Sequence, residues 1–200
     1  QNDEVDPVVA AELLEYKKRG YRIIGCIGTL CERKNQQLLL DAIKLLGKDY
    51  NLFCAFIGEG DLLPKMQKQI EQENLQKNVR LYGYKPMASN YIKYFDVFVL
   101  PSTSEGFGLT IVEAFKEKTL VIASDIKVFQ ELITDGREGF LFRNNILDSL
   151  IETLKKVLCL SRSKIEEVIE NGFARYQKEF TLNRMIMNYE DLYTIIVSQD

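Results

Sequence analysis

Pro101-Ser102-Thr103-Ser104-Glu105-Gly106-Phe107-Gly108-Leu109-Thr110-Ile111-Val112-Glu113-Ala114-Phe115 is the stretch whose reading decides the fold. The four residues before it, Val97-Phe98-Val99-Leu100, are all apolar, as a strand buried on both faces requires. The unit reads as strand, glycine-rich loop, helix. A helix N-terminus presents unpaired backbone N–H groups and a partial positive charge, which suits a phosphate. Gly106 and Gly108 allow close approach of that backbone to a ligand. Two carboxylates flank the turn, Glu105 before it and Glu113 two helical turns beyond. At about 1.5 Å rise per residue they lie at most about 12 Å apart. That is the scale of a sugar–diphosphate–ribose unit lying along the helix, with a carboxylate able to accept from hydroxyls at each end. The same residues also suit a plain turn, with Glu105 as a cap-like residue and Glu113 as a solvated helix position. The rest of the chain has to separate the two readings.

Outward from this unit, short apolar runs alternate with amphipathic stretches. Strands are expected over Arg22–Ile27, Leu52–Ile57, Val79–Tyr82, Val97–Leu100, Leu120–Ala123 and Gly139–Phe142. Helices are expected over Val8–Arg19, Gln36–Leu46, Leu62–Glu73, Met87–Tyr94, Leu109–Glu117, Lys127–Ile133 and Leu147–Leu158, with two more after Ser161. Leu39, Ala42, Ile43 and Leu46 form the stripe of a helix packed on a sheet. Gly20 and Gly47 stand where left-handed helix C-caps belong. The alternation implies right-handed crossovers and a Rossmann-like, doubly wound parallel sheet of about six strands, with helices on both faces and further helices at the C-terminus. Ligands of such sheets bind at the carboxyl ends of the strands, where the motif residues fall. In the tail, Ile165, Val168 and Ile169 mark one amphipathic helix and Met185, Tyr189, Leu192, Tyr193 and Ile196 another.

Composition narrows the function. The net charge of −3 gives no basic footprint for nucleic acid. There is no histidine, which excludes a mechanism in these residues that needs an imidazole base or zinc ligand. Cys26, Cys31, Cys54 and Cys159 show no metal-ligand or redox spacing and are expected to be free, buried thiols of a reducing compartment. The residues contain neither a signal-peptide pattern nor a transmembrane run.

The Glu105 to Glu113 segment resembles the Glu-x7-Glu motif of the retaining, family-4 type glycosyltransferases of the two-Rossmann-domain fold. Other stretches match in order: Ile24 to Leu30 followed by Lys34 and Asn35; Phe56 to Gly60; Val79 to Tyr84; Leu120 to Asp125; and Glu131 to Ile133 through Gly139 to Phe142. The resemblance covers nearly the whole chain, and only the C-terminal, donor-binding half of such an enzyme. It implies that residues 1–20 are the interdomain connection and leading helix. Residues 21–160 would be the nucleotide-sugar-binding domain. Residues 161–200 would be helices that pack on it or face an absent N-terminal, acceptor-binding domain. It further implies transfer of a hexose from a nucleoside diphosphate sugar to a glycan or lipid-linked acceptor in polysaccharide biosynthesis. The protein would then be cytoplasmic, with a peripheral place on the inner membrane face, reached through the missing half, left open.

Carried over residue by residue, the resemblance makes Lys34 the contact to the donor's diphosphate, whose charge builds as it leaves. Where the family has an arginine after the glycine, this chain has Thr29 after Gly28, which weakens the phosphate clamp. Arg33 either replaces it from the adjacent turn or is a solvated loop residue. Glu113 would accept from ribose hydroxyls, and Glu105 from hydroxyls of the transferred sugar. Backbone N–H groups of Phe107, Gly108 and Leu109 beside Gly106 would meet phosphates or sugar. Main-chain atoms near Gly83, Tyr84 and Lys85 would face the base, with Tyr84 either stacking on it or half-buried in packing. Gly58 and Gly60 would form a tight turn that leaves room for the nucleotide. No Asp-x-Asp motif occurs, so transfer without a metal or other cofactor is expected. The rival reading is a non-catalytic nucleotide- or partner-binding domain of the same fold, which Thr29 favours and the pair of glutamates with Lys34 disfavours.

Overall fold

The computed structural model describes residues 5–47 and 49–197, so Gln1–Glu4 of the expected connection lie outside the described residues. Six strands form one sheet in the order β3-β2-β1-β4-β5-β6. They are β1 (Arg22–Ile27), β2 (Leu52–Ile57), β3 (Val79–Leu81), β4 (Val97–Leu100), β5 (Leu120–Ser124) and β6 (Phe140–Phe142), all paired in parallel. This is the Rossmann-like order, with its topological switch between β1 and β4.

The continuous apolar runs are explained by two cores, one on each face. Ile24, Cys26, Cys54, Phe56, Val97, Val99 and Ile122 pack with α2 (Gln36–Leu46), α3 (Leu63–Gln72) and α6 (Leu147–Leu158). Their neighbours Ile23, Ile27, Phe53, Ala55, Phe98, Leu100 and Val121 point the other way, as strand geometry demands. They meet α1 (Pro7–Lys18), α4 (Leu109–Lys116), α5 (Lys127–Leu132) and the 3₁₀ helix Ala88–Tyr94. Phe53, Phe56 and Phe98 are fully buried. Truncating any one to alanine is expected to cost about 3–5 kcal/mol.

Gly25, in the middle of β1, is a forced choice. A Cβ there would sit 1.9 Å from the Phe95 ring, which fills the notch. The next residue, Asp96, pins β4 to β1: Ile23 N–H donates to Asp96 Oδ2 at 2.7 Å and Asp96 N–H donates to Ile23 O at 2.9 Å. These contacts set the register Ile24↔Val97 and Gly25↔Phe98.

Three expectations change. Gly47 is not left-handed: its φ is −64°, and its N–H simply extends α2 by bonding Ile43 O at 2.7 Å. Gly20, at φ +83°, does close α1 as expected. Residues 88–94 wind as a 3₁₀ helix, entered through left-handed Met87, with Tyr91 and Ile92 buried. In the tail, α7 (Arg162–Glu179) packs on α4, where Gly172 admits the Phe115 ring. The last helix, α8 (Leu182–Val197), keeps every described side chain from Leu182 to Thr194 exposed; Ile196 lies outside the side chains described. Of the cysteines, Cys26 and Cys54 are buried, and burial pushes the Cys26 thiol up to about 12. Cys159 is exposed rather than buried, because it falls at the end of α6.

Candidate functional site

The switch point brings together the loop after β1, residues 28–35, and the loop after β4, residues 101–108. Thr103 laces them: its N–H and Oγ1 both donate to Arg33 O, at 2.8 and 3.1 Å. Residues 32–34 form a 3₁₀ turn, and left-handed Asn35 redirects the chain into α2. That turn delivers two cations to one carboxylate. Lys34 Nζ lies 2.5 Å from Glu105 Oε1, and Arg33 Nη1 lies 3.0 Å from Oε2. Arg33 also donates to Ser104 O at 2.8 Å, and Ser102 Oγ to Glu105 Oε1 at 2.8 Å. Arg33 is therefore a member of the cluster, although its side chain stays half-exposed. Burial raises the Glu105 carboxyl, but hydrogen bonds from Lys34, Ser102 and Arg33 outweigh it and hold the group below the usual range.

Glu105 caps no helix: the N-cap of α4 is Gly108, in the left-handed region at φ +89°, with no side-chain cap bond. A Cβ at Gly108 would meet Phe129 at 2.9 Å, whereas one at Gly106 would meet nothing. The first turn of α4 thus keeps its backbone donors clear of side-chain caps, beside exposed Phe107 and Leu109. Further along, Glu113 is half-buried. Burial pushes its carboxyl up, opposed by a hydrogen bond from Ser89 and by the charge of Lys116.

Beside the cluster, at the carboxyl ends of the strands, a cleft of about 230 Å³ is lined by Ile27, Gly28, Thr29, Gly58, Tyr84 and Lys85 among others. Tyr84 stands 68% exposed at its rim, so it is not half-buried packing. The Lys85 ammonium is turned to Asp6, the N-cap of α1, at 2.6 Å. Gly58 is required by the loops themselves, since a Cβ there would lie 2.0 Å from Gly28 O. Gly60 likewise faces Leu30 O at 2.3 Å. Gly83 accepts from Gly58 N–H at 2.8 Å, joining the third strand end to the other two.

Sequence reading passed over Ser102, Ser89 and Asp6. Ser102 lies inside the deciding stretch, two residues beyond β4, but its burial is set by the fold and leaves no mark in the sequence. Nothing in the sequence marked Ser89, which reaches Glu113 only through the fold. Among the described residues no cluster of three or more Asp, Glu, Cys or His could hold a metal ion, and no helix is long and apolar enough to cross a membrane.

A Rossmann-like sheet with charged loops meeting at its switch point is the architecture of a large class of α/β domains. The chain belongs within it to the group 1 glycosyl transferases, whose family model matches residues 15–175. It is 31% identical over 78% of its length to the UDP-Gal:α-D-GlcNAc-diphosphoundecaprenol α-1,3-galactosyltransferase of Escherichia coli, covering 43% of that protein. Its fold matches the S. aureus TarM structure solved with fondaparinux, α-GlcNAc-glycerol and UDP, at a TM-score of 0.74 and 26% identity, covering 86% of this chain and 35% of that one. It also matches a glycosyltransferase from Rickettsia africae ESF-5, at a TM-score of 0.82 and 22% identity, covering 98% of this chain and 54% of that one. The chain spans 34%, 52% and 49% of the first three curated relatives it matches, about half their length or less.

Proposed function

We propose that this chain is the donor-binding, C-terminal half of a retaining, family-4 type glycosyltransferase. It would move a hexose from a nucleoside diphosphate to a glycan or lipid-linked acceptor held by an N-terminal domain. The observation that carries this is the convergence of Lys34, Arg33 and Glu105 at the switch point, beside the cleft and the uncapped start of α4. UDP in the TarM complex supports a uridine nucleotide as the first donor to try.

In this reading Lys34 and Arg33 hold the diphosphate, and Arg33 supplies the cation that Thr29 lacks. Glu113 accepts from the ribose, and backbone of Gly83 to Lys85 faces the base. Glu105 accepts from the sugar. The anomeric carbon–oxygen bond to the diphosphate breaks as the acceptor oxygen bonds on the same face, and the acceptor proton passes to a leaving phosphate oxygen. The two cations stabilise the charge that develops there, so no metal is invoked. A cytoplasmic setting, at the inner membrane face through the other half, fits a lipid-linked acceptor.

Calorimetry of the chain with UDP, GDP and ADP tests the site. Weak binding of one of them is expected, and no binding at millimolar concentration would overturn the reading. The chain alone is expected to transfer nothing, because the acceptor hydroxyl has no positioning without its own domain. Robust transfer by the 200 residues would show that the half-enzyme assignment is wrong.

A further inference from the structure

The cations assigned to the diphosphate are not idle. One carboxylate engages both, and Ser102 adds a third donor to it. An ionised carboxylate offers about four acceptor positions, and protein donors fill three of them. As the site stands, Glu105 has almost no capacity left for a sugar hydroxyl. Nor is this a loose surface pair: the Glu105 side chain is 10% exposed and that of Lys34 15%. Ser102 is wholly buried, and the hydroxyl of buried Ser124 donates to its carbonyl. The carboxylate is held in place from behind, while the Arg33 side chain is 52% exposed and has room to swing.

We propose, on the basis of the donor-site reading above, that Glu105 is a built-in stand-in for the donor's diphosphate. Entry of the ligand hands Lys34 and Arg33 over from the carboxylate to the phosphates. The same exchange frees the Glu105 oxygens to accept from the sugar.

Electrostatics drives both halves of the exchange. Two cations on one short turn repel each other, and the carboxylate offsets that when no ligand is present. A diphosphate carries more charge and more acceptor oxygens than a carboxylate, and a guanidinium suits it well. Ser102 stays bonded throughout, so Glu105 is presented to the sugar without moving. Recognition is therefore ordered: a free monosaccharide meets an occupied carboxylate, whereas a diphosphate-linked sugar brings the anion that vacates it. After transfer only the diphosphate remains, and Glu105 competes with it for both cations, which favours release.

Inorganic pyrophosphate tests the handover without requiring knowledge of the base. In the unmutated chain with ¹³C-labelled glutamate, the titration midpoint of the Glu105 carboxyl carbon should rise when pyrophosphate saturates the site. Pyrophosphate binding with an unchanged midpoint would overturn the handover. In Glu105→Gln, with folding checked by thermal unfolding, pyrophosphate affinity should increase by about five- to tenfold, the scale of one screened charge pair. An unchanged or weaker affinity would also overturn it while leaving the phosphate site intact. If neither form binds pyrophosphate, the donor-site reading and the handover fall together.

Discussion

Glu105 and Glu113 sit on one short stretch of chain and live under opposite conditions. Burial pushes both carboxyls up. At Glu105 two cations and a hydroxyl reverse that push; at Glu113 one hydroxyl and a lysine charge do not. Burial alone therefore does not decide the state of a carboxylate; the donors aimed at it do. The loop-end carboxylate is mostly engaged by its own protein. The helix carboxylate retains acceptor capacity for a ligand.

The strongest way to break this comparison is to remove the lysine that engages Glu105. Lys34→Ala in the complete enzyme should lower turnover by about 10²–10³-fold, the effect of losing one donor to a developing anion. Steady-state kinetics with saturating donor measures it, and a loss under tenfold would mean that the leaving group is neutralised elsewhere. Next, Glu113→Ala should weaken donor binding by about 1.5–3 kcal/mol, as for a charge-assisted hydrogen bond. Glu105→Ala should reduce turnover without weakening nucleotide binding. Wild-type kinetics in both variants would dissolve the two-carboxylate argument.

A subtler contrast is stability against pH. The folded Glu105 carboxyl lies below its unfolded value of about 4.3, so its contribution is present above that value and lost as pH falls through the folded midpoint. Glu113 is raised, so its folded form binds the extra proton and stability declines as pH rises from about 4.3 through its folded midpoint. Urea unfolding at neutral pH should find Glu113→Gln more stable than wild type and Glu105→Gln less stable; the same sign for both would cancel the contrast. The smallest effect belongs to Arg33→Ala. Its side chain is half exposed, so the fold should lose under about 1 kcal/mol, and less in high salt.

The fold was legible where both faces of an element are buried. β1, β2 and β4 match the apolar runs residue for residue, and α2 and α6 match their amphipathic stretches. Reading failed where one residue answers to a distant one. Gly25 is fixed by Phe95, and Gly58 by Gly28 O, neither visible in a local pattern. Residues 88–94 carry a helix-like pattern, but the left-handed turn at Met87 leads into tighter winding. α8 has an amphipathic sequence without a described surface to cover its apolar side chains. At the site, Glu105 could be named from its place in the turn and Lys34 from the family resemblance, yet their direct ion pair could not. Spacing gives each loop's content, whereas the meeting of the loops depends on how β1 aligns with β4.

That alignment has a consequence for how the chain can change over time. β1 and β4 share a ladder of two residue pairs, fixed by the Phe95 ring in the Gly25 notch and by the Asp96 bonds to Ile23. From Phe95 the chain runs through β4 into the loop that carries Glu105, so this strand acts as a ruler between the core and the site. Deleting one residue within β4 shifts the chain beyond it by about 3.3 Å, more than the whole 2.5 Å separation of Lys34 from Glu105. Insertion scanning should therefore find β4 intolerant of any change in length, including at positions where the side chain itself tolerates substitution.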